Sequence, residues 1–211
     1  KLDAIVNMPP PSNLTQVRAF MGMVNHYGRF IPDLATKAAS LYSLTLDNTP
    51  WKWNEACQSS FQRVKESLTA ASFLAHYDQN LPLGLACDAS ACGVGAVSFH
   101  VYPDGTEHPI AFASKMLNTA EKNYAQIDRE ALSIVYGVKK FHQYLFGRHF
   151  TLYTDHKPLL VIVGPHNKLP AVAASRMQRW SLILAAYTYD IKYVSTRNHG
   201  KVDCLSRLPH S

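Results

Sequence analysis

The sequence predicts an α/β fold, a mixed five-stranded sheet flanked by helices and preceded by a small helical segment. Three observations predict it. Apolar residues recur at helical spacing up to about residue 70, and short apolar runs suited to strands begin near residue 81. A long helical stretch then separates the third such run from the fourth. A three-strand meander followed by a strand–helix–strand crossover gives a sheet of mixed direction with helices on its faces.

The helical segment reads as three helices. Asn13 is placed to cap the first, whose apolar positions are Leu14, Val17, Phe20, Met21 and Val24. The second carries Leu34, Ala38, Leu41 and Leu44 and is broken by Asp47-Asn48-Thr49-Pro50. The third starts near Asn54 with Cys57, Phe61, Val64 and Leu68 on one face, and Trp51 and Trp53 are expected to pack on this bundle. Strands follow at 81–88, 93–101 and 108–114, the second and third joined by the turn Pro103-Asp104-Gly105. Proline presets φ there and glycine accepts a positive one. A helix over 125–145 ends before Gly147, a strand covers 150–155, and helices follow at 158–163 and 171–186. A fifth strand at 189–195 and a terminal turn at 203–208 complete the order. Asp78-Gln79-Asn80 and Pro82 mark a short connection, dividing the chain into 1–75 and 76–211.

Composition supports a protein with a packed core. The hydrophobic content of 47% is ample for a core, and 17% charged residues is low for a disordered chain. No apolar run approaches a membrane span, so no membrane partner is expected. An opening at Lys1 predicts an excised piece or a processed product. Cys57, Cys87, Cys92 and Cys204 show neither a CxxC pair nor zinc spacing, and read as small apolar residues in a reducing compartment. The net charge is +6. Residues 1–80 hold 7 Lys/Arg against 6 Asp/Glu, and the remaining residues hold 14 against 9. If cations neutralise four of those nine acids, the second part becomes strongly basic and favours a polyanionic partner.

The four acids are Asp88 in Cys-Asp-Ala-Ser, Glu130 in Asp-Arg-Glu-Ala-Leu, Asp155 in Thr-Asp-His and Asp203 in Val-Asp-Cys-Leu-Ser-Arg. Strand alternation places Gly84, Ala86 and Asp88 on one face, with Leu83, Leu85 and Cys87 on the other. Asp155 ends its own strand, and the two acids emerge side by side if those strands are neighbours. Glu130 shares the core-facing stripe of its helix with Ile134, Gly137 and Phe141. Each acid taken singly has an ordinary reading as a turn residue, a helix cap or a solvated glutamate. Together they are the oxygen donors that a hard divalent cation needs.

The chain closely resembles, over essentially its whole length, the reverse transcriptase–ribonuclease H region of gypsy-type LTR retrotransposon polyproteins. The motifs that carry the resemblance begin with Lys1-Leu2-Asp3-Ala4-Ile5, Val17-Arg18-Ala19-Phe20-Met21-Gly22 and Arg29-Phe30-Ile31-Pro32, similar to a helical thumb or connection segment. They continue with Asp88-Ala89-Ser90, His108-Pro109-Ile110-Ala111-Phe112-Ala113-Ser114, Arg129-Glu130-Ala131-Leu132, Thr154-Asp155-His156-Lys157-Pro158-Leu159, Arg179-Trp180 and Asp203-Cys204-Leu205-Ser206-Arg207. The resemblance implies a ribonuclease H-like sheet and a nuclease cutting the RNA strand of RNA–DNA hybrids during reverse transcription. Asp88, Glu130, Asp155 and Asp203 would hold two Mg²⁺ ions, with Mn²⁺ as a substitute. One ion would lower the pKa of an attacking water, and the other would stabilise the leaving 3′ oxygen.

His199, in Arg-Asn-His-Gly, matches a loop histidine that in some relatives shuttles a proton or helps product leave, and it reads equally as a solvated loop residue. Ser90, Lys115, Arg148, Lys157, Arg176 and Arg179 are candidates for contacts to the hybrid, each also readable as ordinary surface. No Tyr-x-Asp-Asp motif occurs in these 211 residues, so the polymerase active site is not among them. The implied partners are the hybrid and the polymerase domains of a parent polyprotein in a cytoplasmic retroelement particle, with a nuclear location and a dimer left open. The competing expectation is a catalytically inactive or host-adopted module that binds hybrid or protein.

Overall fold

The computed structural model describes residues 7–46, 49–69, 74–162 and 175–194. Helix α1 (Leu14–His26) begins where expected, with the Asn13 side chain accepting the Gln16 N–H at 2.9 Å. Val17, Phe20, Met21 and Val24 are buried in one cluster with Leu41, Phe61 and Val64, so the three-helix reading of the segment holds in outline. A 3-10 turn (Gly28–Phe30) follows α1. The expected second helix is two short ones, α2 (Leu34–Lys37) and α3 (Ala39–Leu44), because the backbone of Ala38 leaves helical geometry at φ −97°, ψ 9°. Helix α4 (Glu55–Thr69) starts after Asn54, whose carboxamide oxygen accepts the Cys57 N–H. Trp53 packs on the bundle, whereas Trp51 is exposed and stacks on Trp53 instead.

The sheet contains β1 (Leu83–Ala89), β2 (Gly93–Val101), β3 (Glu107–Met116), β4 (His149–Thr154) and β5 (Thr188–Tyr193), in the order β3-β2-β1-β4-β5. The first three strands pair antiparallel, and β4 pairs parallel to both β1 and β5. Pro109, which has no N–H to donate, lies on the edge strand β3 where the β2–β3 register slips. The expected turn closes with Gly105 at φ +83°. This is the ribonuclease H-like α/β arrangement with an N-terminal helical segment.

Between β3 and β4 the chain forms α5 (Thr119–Lys122), α6 (Gln126–Lys140) and α7 (His142–Leu145). The single helix expected over 125–145 is interrupted at Phe141, whose backbone turns to φ −102°, ψ 20° while its ring stays buried. Ahead of it, α5 carries a capping box in which Asn118 and Glu121 each bond the other's backbone. Helices α8 (Pro158–Ile162) and α9 (Ser175–Leu184) complete the described elements. The stretches at 163–174 and 195–211, which contain parts of the expected helices, the end of the fifth strand and the terminal turn, lie outside the described residues.

Alternation along β1 sorts its side chains as the sequence indicates. Leu83, Leu85 and Cys87 join Ile134 and Val138 of α6 in the main core, while Ala86 packs with Val97 and Phe99 on the opposite face. Each fully buried Leu or Phe adds about 1.5–3 kcal/mol. Helix α6 approaches the sheet closely at Gly137, where a Cβ would lie 2.8 Å from Cys87 Sγ and 3.1 Å from Ala96 Cβ. The substitution Gly137→Ala should therefore destabilise the chain by about 1–3 kcal/mol, despite alanine's better helix propensity. Urea denaturation of the purified variant measures this, and equal or greater stability would contradict the close-approach argument.

Candidate metal centre

Parallel pairing decides where two acids meet. Ala86 of β1 is the register partner of Tyr153 of β4, so Asp88 and Asp155, each two residues further on, emerge at the same end of adjacent strands. Helix α6 crosses beneath that end and supplies Glu130, which is buried at 5% exposure. One carboxylate oxygen from each of Asp88, Glu130 and Asp155 lies within 4.8 Å of the others. Asp88 is exposed and Asp155 half-buried, so the cluster opens to solvent on one side.

Glu130 is held from below by its own helix. Gln126, one turn earlier, donates from Nε2 to Glu130 Oε1 and also reaches Ala89 O at the end of β1. Arg129 in turn donates to Gln126 Oε1 at 2.6 Å, which orients the carboxamide. Sequence reading missed Gln126; its place four residues before Glu130, on the same helical face, is the signal that could have found it. Burial first, then the charges of Asp88 and Asp155, push the Glu130 carboxyl up to about 7. Burial, with Asp88 and Glu130 beside it, keeps the Cys87 thiol protonated well above its ordinary range. That agrees with Cys87 acting as a small apolar residue, and Cys57, Cys87 and Cys92 are all free thiols.

A fourth acid approaches from the helical segment. Asp33 precedes α2, and its charge and that of Asp88 disfavour one another; burial first and Asp88 second raise the Asp33 carboxyl, while Lys37 lowers it. No periodicity or motif in the sequence marked Asp33. His199 and Asp203 lie outside the described residues.

The expected substrate contacts divide. Lys115, paired with Val94, sits at the same sheet end as Asp88 and is bonded to Glu121 at 2.6 Å. Arg176 packs over the Tyr124 ring at 3.8 Å and pairs with Asp128 at 3.2 Å, while its neighbour Arg179 is exposed. Lys157 follows Asp155 and lies over the Tyr193 ring at 4.9 Å. Ser90 shapes the β1–β2 turn, accepting the Gly93 N–H at 2.9 Å and donating to Gly93 O. Arg148 stands apart. It precedes β4, roughly 20 Å of strand from Asp155. There it donates to Tyr77 Oη at 2.9 Å and Leu81 O at 3.0 Å, tying down the segment that leads into β1.

Residues 53–152 match the family model described as an RNase H-like domain found in reverse transcriptase. The chain carries a reverse-transcriptase RNase H-like domain. It is related to gypsy-type retrotransposon Pol polyproteins. The retrovirus-related Pol polyproteins of the Drosophila melanogaster transposons 297 and opus are 34% and 32% identical to it, each over 99% of this chain. The chain spans 19% and 21% of those two polyproteins. Among solved structures, the foamy viral protease–reverse transcriptase in complex with an RNA/DNA hybrid superimposes with a TM-score of 0.72 at 20% identity, covering all of this chain and 28% of that one. The same viral protein in a dRH form with double-stranded DNA gives 0.73 at 21% identity, covering 92% of this chain and 34% of that one. At that identity the likeness shows the fold. The matched RNase H-like region includes Asp88 and Glu130, and Asp155 follows three residues after its end.

The donor set of this RNase H-like domain fits a hard divalent cation. Three carboxylates this close repel one another, and a cation would remove the cost of ionising the buried one. The sign of the resulting pH effect follows from Glu130. Its folded-state pKa of about 7 exceeds the ordinary 4.5, so the metal-free fold binds a proton that the unfolded chain releases first. Stability is then fully present below about pH 4.5 and is lost as pH rises through about 7. Glu130→Gln should thus stabilise the metal-free protein at pH 8 and change little at pH 5. Thermal melts in chelator at both pH values test this, and equal shifts at the two would refute it.

Proposed function

We propose that this chain is the ribonuclease H of a retroelement reverse transcriptase, hydrolysing the RNA strand of RNA–DNA hybrids in a divalent-cation-dependent reaction. The observation that carries the reading is the convergence of Asp88, Glu130 and Asp155, from a strand, a helix and a second strand end, within an RNase H-like fold. Asp203, carried over by resemblance, completes the proposed set, with Mg²⁺ as the cation and Mn²⁺ as its substitute. Two bound cations would supply the positive charge that activates a water and stabilises the leaving oxygen. Hydrolysis adds water across the P–O3′ bond, leaving a 5′-phosphate and a 3′-hydroxyl.

The chain's own residues orient that chemistry. Gln126 holds the Glu130 carboxylate toward Asp88 and Asp155, and Arg129 holds Gln126. Lys157 and Arg179 supply cations to backbone phosphates, Lys115 and Arg176 reach them only from their pairs with Glu121 and Asp128, and Ser90 shapes the turn beside Asp88. Arg148 serves the connection to the helical segment in this reading. Residues 1–75 act as a thumb or connection segment and 76–211 as the nuclease, both joined to polymerase domains in a parent polyprotein.

Incubating the purified chain with end-labelled hybrid and Mg²⁺ tests the proposal, with Asp88→Asn as control. We expect metal-dependent cutting of the RNA strand, reduced by roughly two orders of magnitude or more in the variant. Tight hybrid binding without cutting would instead indicate a binding module. If His199 assists proton transfer or product release, His199→Ala will slow turnover while calorimetric Mg²⁺ affinity stays unchanged; unaltered turnover would remove that role.

A further inference from the structure

The loop before α2 lies against the end of the sheet that carries Asp88. Asp33 is the one non-glycine residue with a positive φ among the described residues, at φ 51°, ψ 33°. It stands at the N-cap of α2, yet its side chain makes no capping hydrogen bond. The carboxylate instead lies over Gly95, where a Cβ would come within 2.8 Å of Asp33 Oδ1. Gly95 is the cross-strand register partner of Asp88.

The surrounding contacts hold the loop there. Ala35 N–H donates to Ser114 Oγ at 2.9 Å, and Ser114 is the register partner of Gly95 on the other side. Tyr136 of α6 donates to Ser114 O, so one residue of β3 is gripped by the helical segment and by the nuclease helix. A Cβ on Gly93 would sit 3.7 Å from both Ala35 Cβ and Thr36 Oγ1, so the face of β2 shared by Gly93 and Gly95 accepts the loop closely. Lys37, buried one turn after Asp33, bonds Ser67 of α4 and anchors α2 to the bundle.

We propose that Asp33 is a positioning carboxylate of the metal centre, lent by the helical segment to strengthen divalent-cation binding at Asp88 without being a direct ligand. The inference rests on the divalent-cation binding that the proposed function assigns to Asp88, Glu130 and Asp155. A negative group beside a ligand raises the potential drawing a cation in and can orient the ligand itself. The centre is then composite, and its affinity for metal depends on the helical segment staying docked on Gly93, Gly95 and Ser114.

The test uses the intact chain with Asp33→Asn, because asparagine keeps the size and tolerates the left-handed backbone. Calorimetric titration with Mg²⁺ should show a dissociation constant weakened roughly tenfold, with a smaller Mg²⁺-induced rise in Tm. In hybrid cleavage the half-saturating Mg²⁺ concentration should rise more than kcat falls. Gly95→Ala keeps the charge but displaces the carboxylate, and should weaken Mg²⁺ binding in the same direction; it decides the matter if Asp33→Asn does not fold. Mg²⁺ affinity equal to wild type in the folded variants, even with a lowered metal-free Tm, overturns the proposal. If Asp88→Asn abolishes cleavage while Asp33→Asn binds Mg²⁺ normally, only this inference fails. If the wild type cuts no hybrid yet loses Mg²⁺ affinity with Asp33→Asn, the nuclease reading fails and this one stands.

Discussion

Three carboxylate oxygens held within 4.8 Å of one another are the constraint around which this fold is arranged. Each comes from a different element, so neither local propensity nor a single turn can assemble them. Parallel pairing of β1 with β4 aligns Asp88 and Asp155, and the close approach of α6 at Gly137 helps bring Glu130 under both. The cluster works against folding while no cation or proton neutralises it, and the apolar packing of Leu85, Ile134, Leu152 and their neighbours must hold it together. The same constraint favours the proposed chemistry: a site strained by its own charge is one that would gain most from binding divalent metal.

The charge balance takes on a different meaning once partners are known. The excess of Lys and Arg over Asp and Glu after residue 80 does not translate into an equal number of free cations. Lys115 is bonded to Glu121, Arg176 to Asp128, and Arg148 spends its donors on the connection near Tyr77 and Leu81. Surface pairs of this kind contribute little to stability, but they fix where positive charge is presented. The helical segment is likewise tied to the sheet through Ala35, Ser114 and the glycines of β2, so its position is set by specific contacts beside the acidic cluster.

Elements with a strong local signal were legible in the sequence. Asn13, the apolar spacing of α1 and α4, the alternation of β1 and the Pro-Asp-Gly turn each name their structure through chemistry within a few residues. The breaks at Ala38 and Phe141 were not legible. Both residues favour or tolerate helix locally, and both are buried, so packing against other elements sets their backbone. Asp33 and Gln126 escaped for a similar reason, since each matters only through a residue brought near by folding.

By itself the sequence determined the residue types and their periods: acids closing apolar runs, a glutamate on a core-facing stripe, and a glycine in the Pro-Asp-Gly turn. Those are properties of the chain within one turn of helix or a few residues of strand, where sterics and burial act directly on neighbours. Tertiary structure alone decided that β4 inserts beside β1, that Glu130 meets Asp88 and Asp155, and that the helical segment sets Asp33 against the same strand end. Strand order and docking depend on the summed burial of many distant side chains, and no local spacing encodes that sum.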